Sequence, residues 1–209
     1  MAGVLALLGA ALTVSFIHRQ IKQAADFEKD RHIREERAAR ILLPMALSAI
    51  AQYAIDCIKL LEPYGPVVGK GPQVQPGMAA PRIPDGILEP MQASARYADG
   101  TIADEIGGTV AWLQAQHARL EGFNAQLAVR AKISGTSKLC GIMDAAELHA
   151  RYGKLFPYSR RSTPDPNLTF QKKLQTALFL AGIVDVDHPG LEAAIKARPQ
   201  PHVFELLRV

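Results

Sequence analysis

Cysteine is scarce in this chain. The 209 residues contain two, Cys57 and Cys140, which stand 83 positions apart and belong to no CxxC or Cys/His cluster. This spacing does not suit a cysteine-ligated metal site. We therefore predict two buried or free thiols, which suits a reducing compartment.

Catalytic motifs are also missing. The sequence has no GxSxG, HExxH, GxGxxG or calcium loop. The string SGTSK at 134–138 lacks the GK[ST] of a phosphate loop, and we interpret it as a loop between helices with Thr136 or Ser137 as a cap. We predict no catalytic residue, no cofactor and no metal ligand. A triad assembled by folding stays open, and the alternative is an enzyme with a site around His149, Arg151 and Tyr152.

The chain has little excess of either charge. Its formal net charge is +4, with 48% hydrophobic and 21% charged residues, a globular composition. Residues 132–209 carry 11 basic and 7 acidic side chains and hence the whole excess. The basic residues come as the pairs Arg160–Arg161 and Lys172–Lys173, between acidic residues and without a dense basic face, so the pattern argues against nucleic-acid binding.

The first 17 residues contain no charged side chain. As a helix they would rise about 26 Å, at the short end of what crosses a hydrocarbon core. We predict a transmembrane helix over 1–17. A signal peptide lacks support, because no Lys or Arg precedes the run and no cleavage site follows it. A core helix is the other alternative.

A charged segment follows from 18 to 40. It has no Gly or Pro, which favours a continuous helix, and its charges on every face predict a solvated stalk. A coiled coil is the weaker option, because the a and d positions are not apolar over three or four heptads. Its basic residues place the N-terminus outside and the rest in the cytoplasm by the positive-inside rule.

The next apolar run, Ile41 to Leu61, is interrupted by polar residues that form one stripe on a helical wheel. We predict a helix buried in a bundle or a subunit interface, with its polar stripe wetted; a second membrane span in a hairpin is the alternative, at a cost for burying Asp56 in lipid. Pro44 suits the first turn of a separate or kinked helix. The predicted interface residues are Ser48, Gln52, Ile55, Asp56 and Lys59.

Seven prolines and five glycines between Pro63 and Pro90 predict an extended connector. Two PxxP matches occur within it, at 63–66 and 81–84, but a linker explains them better than a ligand for an SH3-like domain.

The C-terminal part shows four helical patterns. Thr101 to Asp104 has the form of a capping box for a long helix reaching about Ala131, with His117 as a core histidine on its apolar face. A second helix spans about Ile142 to Phe156 and is ended or kinked by Pro157, with Asp144 and Glu147 near its start in a structural role. A third spans Thr169 to Ala181, closed by Gly182, and a short fourth begins at Pro189 and reaches about Arg198. The fate of the final HVFELLRV is undetermined.

The predicted fold is all-α: an N-terminal transmembrane helix (1–17), a charged stalk and apolar helix (18–62), a Pro/Gly-rich linker (63–90) and a small helical bundle (91–209). We expect a non-enzymatic, single-span anchor or adaptor that contacts the membrane and a protein partner or a second copy of itself. An exported envelope protein is a further alternative.

Overall fold

The computed structural model describes residues 2–61, 80–128, 135–163, 168–184 and 190–199, and within them the chain folds into helices joined by short turns and irregular segments. No strand occurs within these ranges. The helices, in chain order, are α1 (Ala2–Leu61), α2 (Leu88–Tyr97), α3 (Gly100–Ala128), α4 (Gly135–Gly153), α5 (Leu155–Arg160), α6 (Phe170–Leu180) and α7 (Leu191–Ala197).

Helix α1 runs without interruption for 60 residues, about 90 Å at 1.5 Å per residue. The prediction that Pro44 begins a separate helix is therefore wrong. Pro44 lies inside α1, where it lacks the N–H that would bond the carbonyl of Arg40. The helix persists because the residues after Pro44 are anchored by packing, which outweighs a proline cost of about 3 kcal/mol.

The two ends of the described part of α1 have opposite surroundings. Every residue from 15 to 32 is exposed. From Leu43 onward one side is buried, at spacings of three and four that place its members on one helical face. These residues are Leu43, Leu47, Ile50, Ala54 and Ile58, each 0% exposed.

Helix α2 lies antiparallel to the middle of α1. The Ser94 hydroxyl donates to the Ala39 carbonyl at 3.2 Å, and the rings of Tyr97 and His32 lie 5.5 Å apart edge to face. This helix was not predicted, since Pro90 lay within the expected connector. Pro90 occupies the first turn, where its missing N–H breaks no bond. Residues 62–79 of that connector lie outside the described residues.

Helix α3 begins two residues earlier than its predicted capping box implies. The Asp99 side chain accepts from the Ile102 N–H at 2.9 Å, so Asp99 caps the helix and Thr101 does not. The buried stripe includes Ile106, Leu113 and Leu120, as predicted, and also polar residues between them. The predicted end near Ala131 lies outside the described residues.

Helix α4 is the central element. Every residue from 141 to 148 is buried, and the helix contacts α1, α3 and α6. It is antiparallel to α3, because Lys154 after its end pairs with Glu105 near the start of α3 at 3.6 Å. The helix begins at Gly135, so the prediction of a loop over 134–138 is wrong for residues 135–138.

The chain turns at Lys154, three residues before Pro157, so Pro157 does not end α4 but lies in the first turn of α5.

The helix predicted over Thr169 to Ala181 is confirmed as α6. Thr169 caps α6 by accepting from Lys172 N–H, and Gly182 adopts a φ of 84° beyond its end. There Ile183 N–H bonds the Leu178 carbonyl at 2.9 Å, a Schellman arrangement.

Helix α7 starts later than predicted. It begins at Leu191 with Gly190 as its N-cap, at a φ of 93°, so Pro189 is not its first residue. Leu191 and Ile195 are buried against α6. The final HVFELLRV lies outside the described residues.

Candidate interaction surface

The predicted interface residues do not all share one surface. Ser48, Gln52 and Lys59 are exposed on the side of α1 that faces away from the other helices, and Asp56 is half-buried beside them. Ile55 is 8% exposed and is buried within the chain itself. The polar stripe of the sequence is therefore the solvent side of a core helix.

Three large apolar residues extend this surface toward the N-terminus. Ile41, Leu42 and Met45 are 73%, 53% and 72% exposed, respectively. They are not buried in the bundle, because α2 and α5 cover the opposite side of α1 at this level. Burial in a subunit interface, the other part of our expectation, stays a prediction. We call the exposed residues of this side the outer edge; they are Ile41, Leu42, Met45, Ser48, Gln52, Asp56 and Lys59.

Polar groups on the outer edge bond within the helix. The Ser48 hydroxyl donates to the Pro44 carbonyl at 2.8 Å, and the Gln52 amide donates to the Asp56 carboxylate at 2.8 Å. Such i to i+4 bonds leave their partner atoms less dependent on water. A protein partner could therefore cover this edge with a modest desolvation cost.

A second candidate site surrounds Trp112, where three helical segments meet. Asp144 and Glu147 on α4 are 6% and 4% exposed. The indole N–H of Trp112 donates to the Asp144 carbonyl at 3.1 Å. Three guanidinium carbons lie 4.6 to 5.7 Å from the Trp112 ring centre, on Arg119, Arg151 and Arg198.

All four carboxylate oxygens of this cluster are paired. Asp144 accepts from Arg119 at 2.5 Å and from Arg198. Glu147 accepts from Arg151 at 2.6 Å and from Arg198 at 2.7 Å. Two charges on a helix buried from every side require such partners.

Arg198 ties the end of α7 to α4. Burial lowers the pKa of its guanidinium, but hydrogen bonds to Asp144 and Glu147 outweigh that effect and leave the pKa above its ordinary value. Because every oxygen is occupied by the chain's own arginines, we assign this cluster to structure: it fixes α3, α4 and α7 together. Asp144 and Glu147 therefore have a structural role, but not the predicted one. Helix α4 begins at Gly135, so both residues lie more than two turns inside it rather than near its start.

The residues of the enzyme alternative lie on different sides of α4. His149 and Tyr152 stack edge to face with ring centres 5.0 Å apart, whereas Arg151 points to Glu147. Burial lowers the pKa of His149 to about 4 and raises that of Tyr152. Tyr152 is 1% exposed, so its hydroxyl offers no open face to a substrate.

His117 occupies the predicted core position. Its Nδ1 lies 2.9 Å from the Tyr53 hydroxyl of α1. Cys57 follows Tyr53 by four residues on α1, and its own burial raises the pKa of its thiol to about 11. Cys57 is buried and Cys140 is exposed, both as free thiols. Among the described residues, no three His, Cys, Asp or Glu side chains group in a way that could hold a metal ion.

A small cleft of about 290 Å³ separates α6 from α7. Most of its lining is apolar, and its polar Glu192 pairs with Lys196 at 2.5 Å. This volume falls just below the usual range for small-molecule sites. The lining residues are Gln175, Leu178, Ile183, Leu191, Glu192 and Ile195.

Comparison with known proteins gives no relative for this chain: no family model, no curated protein and no solved structure matches it. Within the described part, α1 from Ser15 is long and apolar enough to cross a membrane, although half of its qualifying 18-residue window is buried. A buried core helix meets the same criterion.

Proposed function

We propose that the chain is a non-enzymatic, single-span membrane protein that acts as an anchor or adaptor and holds a helical head beside the bilayer for protein partners. The head consists of residues 43–61 of α1 together with α2 to α7. One observation carries this proposal. A single helix leads from the uncharged N-terminal run into the core of the head, with no break between them.

The geometry of residues 18–31 supports a role as a spacer between the membrane and the head. Residues 18–31 are all exposed and span about 21 Å as helix. Their charges pair along the helix, as between Arg31 and Glu28 at 2.5 Å, which favours helix in water. A continuous helix holds its two ends at a fixed separation, as an anchor requires.

We assign the membrane span to residues 1–17 rather than to 41–61. Every 18-residue window between 15 and 40 carries more than two charged residues, so the qualifying window of α1 falls in the apolar run after that segment. That run already packs against α2, α4, α5 and α6. A crossing there would have to remove Leu43, Leu47 and Ile50 from the protein core.

The proposed orientation places the N-terminus outside and the head in the cytoplasm. Arg19, Lys22 and Lys29 follow the uncharged run closely, which favours retention of that side in the cytoplasm. Free thiols at Cys57 and Cys140 fit a reducing compartment.

Fractionation of cells expressing the full chain tests the span. After an alkaline carbonate wash, we expect the protein in the membrane pellet, and we expect Leu8→Arg to move it to the supernatant, because an arginine near the centre of a span costs about 2.5 to 3.5 kcal/mol on insertion scales. Ile21→Arg, beyond the predicted span, is the matched control and should stay in the pellet. Wild-type protein in the washed supernatant would refute the anchor.

The exposed thiol of Cys140 tests the orientation. A membrane-impermeant maleimide should label it in lysed cells and not in intact cells, and Cys140→Ser should remove the signal. Labelling of intact cells would instead place the head outside, as an exported protein or a two-span hairpin requires.

A further inference from the structure

We propose that two copies of this chain pair in parallel along the outer side of α1, from Ile17 to Met45. The inference deepens the proposed anchor function, and it rests on that function for the parallel orientation and for the choice of a second copy as the partner.

Exposed apolar side chains are concentrated on α1. Seven of the twelve large hydrophobic residues exposed in the described part lie on this helix, which marks it as the main unpartnered apolar surface. They are Phe16, Ile17, Ile21, Phe27, Ile41, Leu42 and Met45.

These seven residues follow a heptad. With Ile17 at position a, Met45 is also at a, and Phe27 and Ile41 are at d; Ala24 and Ala38 fill two more a positions. Phe16 falls at g, and Ile21 and Leu42 fall at e, so none of the seven is at b, c or f. Positions a, d, e and g form the contact side of a two-helix coiled coil.

The head occupies the other side of the same helix. The head-facing residues Ala39, Leu43 and Leu47 fall at positions b, f and c of this heptad. The fold therefore leaves every a and d position exposed over about 42 Å, from Ile17 to Met45, and of the e and g positions only Glu35 and Pro44 are half-buried. The sequence alone did not separate these sides, because Leu43 and Leu47 obscured the period.

The charged centre of this side is complementary to itself. Arg31 and Arg34 fall at a and d, which had argued against a coiled coil. We call the line of a and d positions from Ile17 to Met45 the seam. The acidic residues Glu28 and Glu35 fall at e and Asp30 falls at g, which flank the seam. In a parallel pair, Arg31 and Arg34 face their own copies, and Asp30 and Glu35 of the other helix flank them and supply the counter-charges. Such polar residues at a and d positions fix register and orientation.

A second copy suits this surface better than an unrelated partner. The surface is one side of a continuous helix that begins beside the predicted span. Its partner must therefore be a rod that rises from the membrane at the same height. Another α1 in the same bilayer satisfies this requirement, with identical residues facing each other across a two-fold axis. After Met45 the seam turns polar at Ser48 and Gln52 and d-position Ile55 is buried, which ends the contact.

Disulfide cross-linking in membranes tests the pairing. In a Cys140→Ser background, Met45→Cys places a thiol in the seam, and Lys29→Cys at position f is the matched control on the far side. A mild oxidant should link the Met45→Cys protein into a dimer and leave the Lys29→Cys protein monomeric. Met45 is 72% exposed, so its replacement should not disturb the head.

The second part of the experiment introduces a charge into the seam to disrupt the pairing. Ile41→Asp added to an Ala24→Cys, Cys140→Ser protein should abolish the cross-link at residue 24, whereas Lys29→Asp should not. Equal cross-linking of Met45→Cys and Lys29→Cys would overturn the proposal, as would a membrane-bound protein that gives no cross-link at residue 45 or links only to another protein. If the chain is recovered as a soluble protein that still cross-links at residue 45, the anchor fails and the dimer stands.

Discussion

Residues 15–31 and 43–61 belong to one helix and are stable for different reasons. Every residue of the first segment is exposed, and the segment stays helical through residue propensity, charge pairs along its surface and continuity with the packed second segment. The second segment is buried on one side by four other helices. Burial, rather than a break in the backbone, therefore divides this helix into two mechanical parts.

An arginine–glutamate ion pair also contributes differently to stability in the exposed and the buried parts of the molecule. Arg31 forms ion pairs with Glu28 and Glu35 in full contact with water, where screening leaves such pairs little net effect. Arg151 pairs with Glu147 at similar distance but with both side chains about 95% buried. Paired substitutions in the two parts of the molecule probe this contrast, beginning with the largest expected effect.

Glu147→Ala should lower the free energy of unfolding by about 3 to 5 kcal/mol, because it leaves the buried Arg151 guanidinium without a counter-charge. Glu28→Ala removes a carboxylate paired to Arg31 on the exposed segment and should produce no measurable change. Denaturant unfolding of both variants measures the difference. Similar losses in the two would mean that burial does not govern these pairs.

Leu47→Ala should cost about 3 kcal/mol, since Leu47 is 0% exposed and its loss leaves a cavity in the core. Met45→Ala, two residues away on the outer edge, should change the unfolding free energy of the monomer by less than about 0.5 kcal/mol. Chemical denaturation in detergent at low protein concentration gives both values. A costly Met45 variant under monomeric conditions would contradict the assignment of inner and outer sides.

Acidification should destabilise the head through His149. Its pKa is about 4 in the folded chain and about 6.5 when unfolded. Between these values the unfolded chain binds a proton that the folded chain does not, so stability falls as the pH drops from 6.5 to 4, by about 2 kcal/mol.

Comparison of the pH profiles of wild type and His149→Gln isolates this contribution, because the other titrating groups are common to both. The two profiles should converge in slope above pH 7 and diverge below 6. Parallel profiles over the whole range would show that His149 is protonated equally in both states.

Gly141→Ala should lower stability by about 1 kcal/mol. A methyl group there would stand 2.9 Å from Leu61 and 3.0 Å from Phe123, where α1, α3 and α4 converge. Gly107→Ala in α3 meets nothing within 4 Å and should raise stability by up to about 1 kcal/mol. Thermal unfolding of both variants checks these opposite signs.

Local signals in the sequence were informative where neighbouring residues alone determine the structure. The ends of α6 were predicted because Thr169 and Gly182 act on backbone groups within four residues of themselves. Asp99 was missed because a second plausible cap followed it two residues later. Pro90 concealed α2, since a proline in a first turn looks the same as one in a linker.

The cluster around Trp112 was beyond reach of the sequence. Its members Arg119, Asp144 and Arg198 are 25 and 54 positions apart, and only tertiary packing brings them together. Of the predicted interface, the exposure of Ser48, Gln52 and Lys59 followed from helical periodicity. The exposure of Ile41, Leu42 and Met45 did not, because it depends on where α2 and α5 dock.

Because α1 is continuous, the number of residues in the stalk determines the direction in which the head faces. Adding one residue between 18 and 31 would turn the head by about 100° around the helix axis and lift it by about 1.5 Å, whereas adding seven would return it to within about 20° of its original heading. The length of the stalk in residues therefore determines both the rotation of the head about the helix axis and its height, and so which side of the head a neighbouring protein contacts.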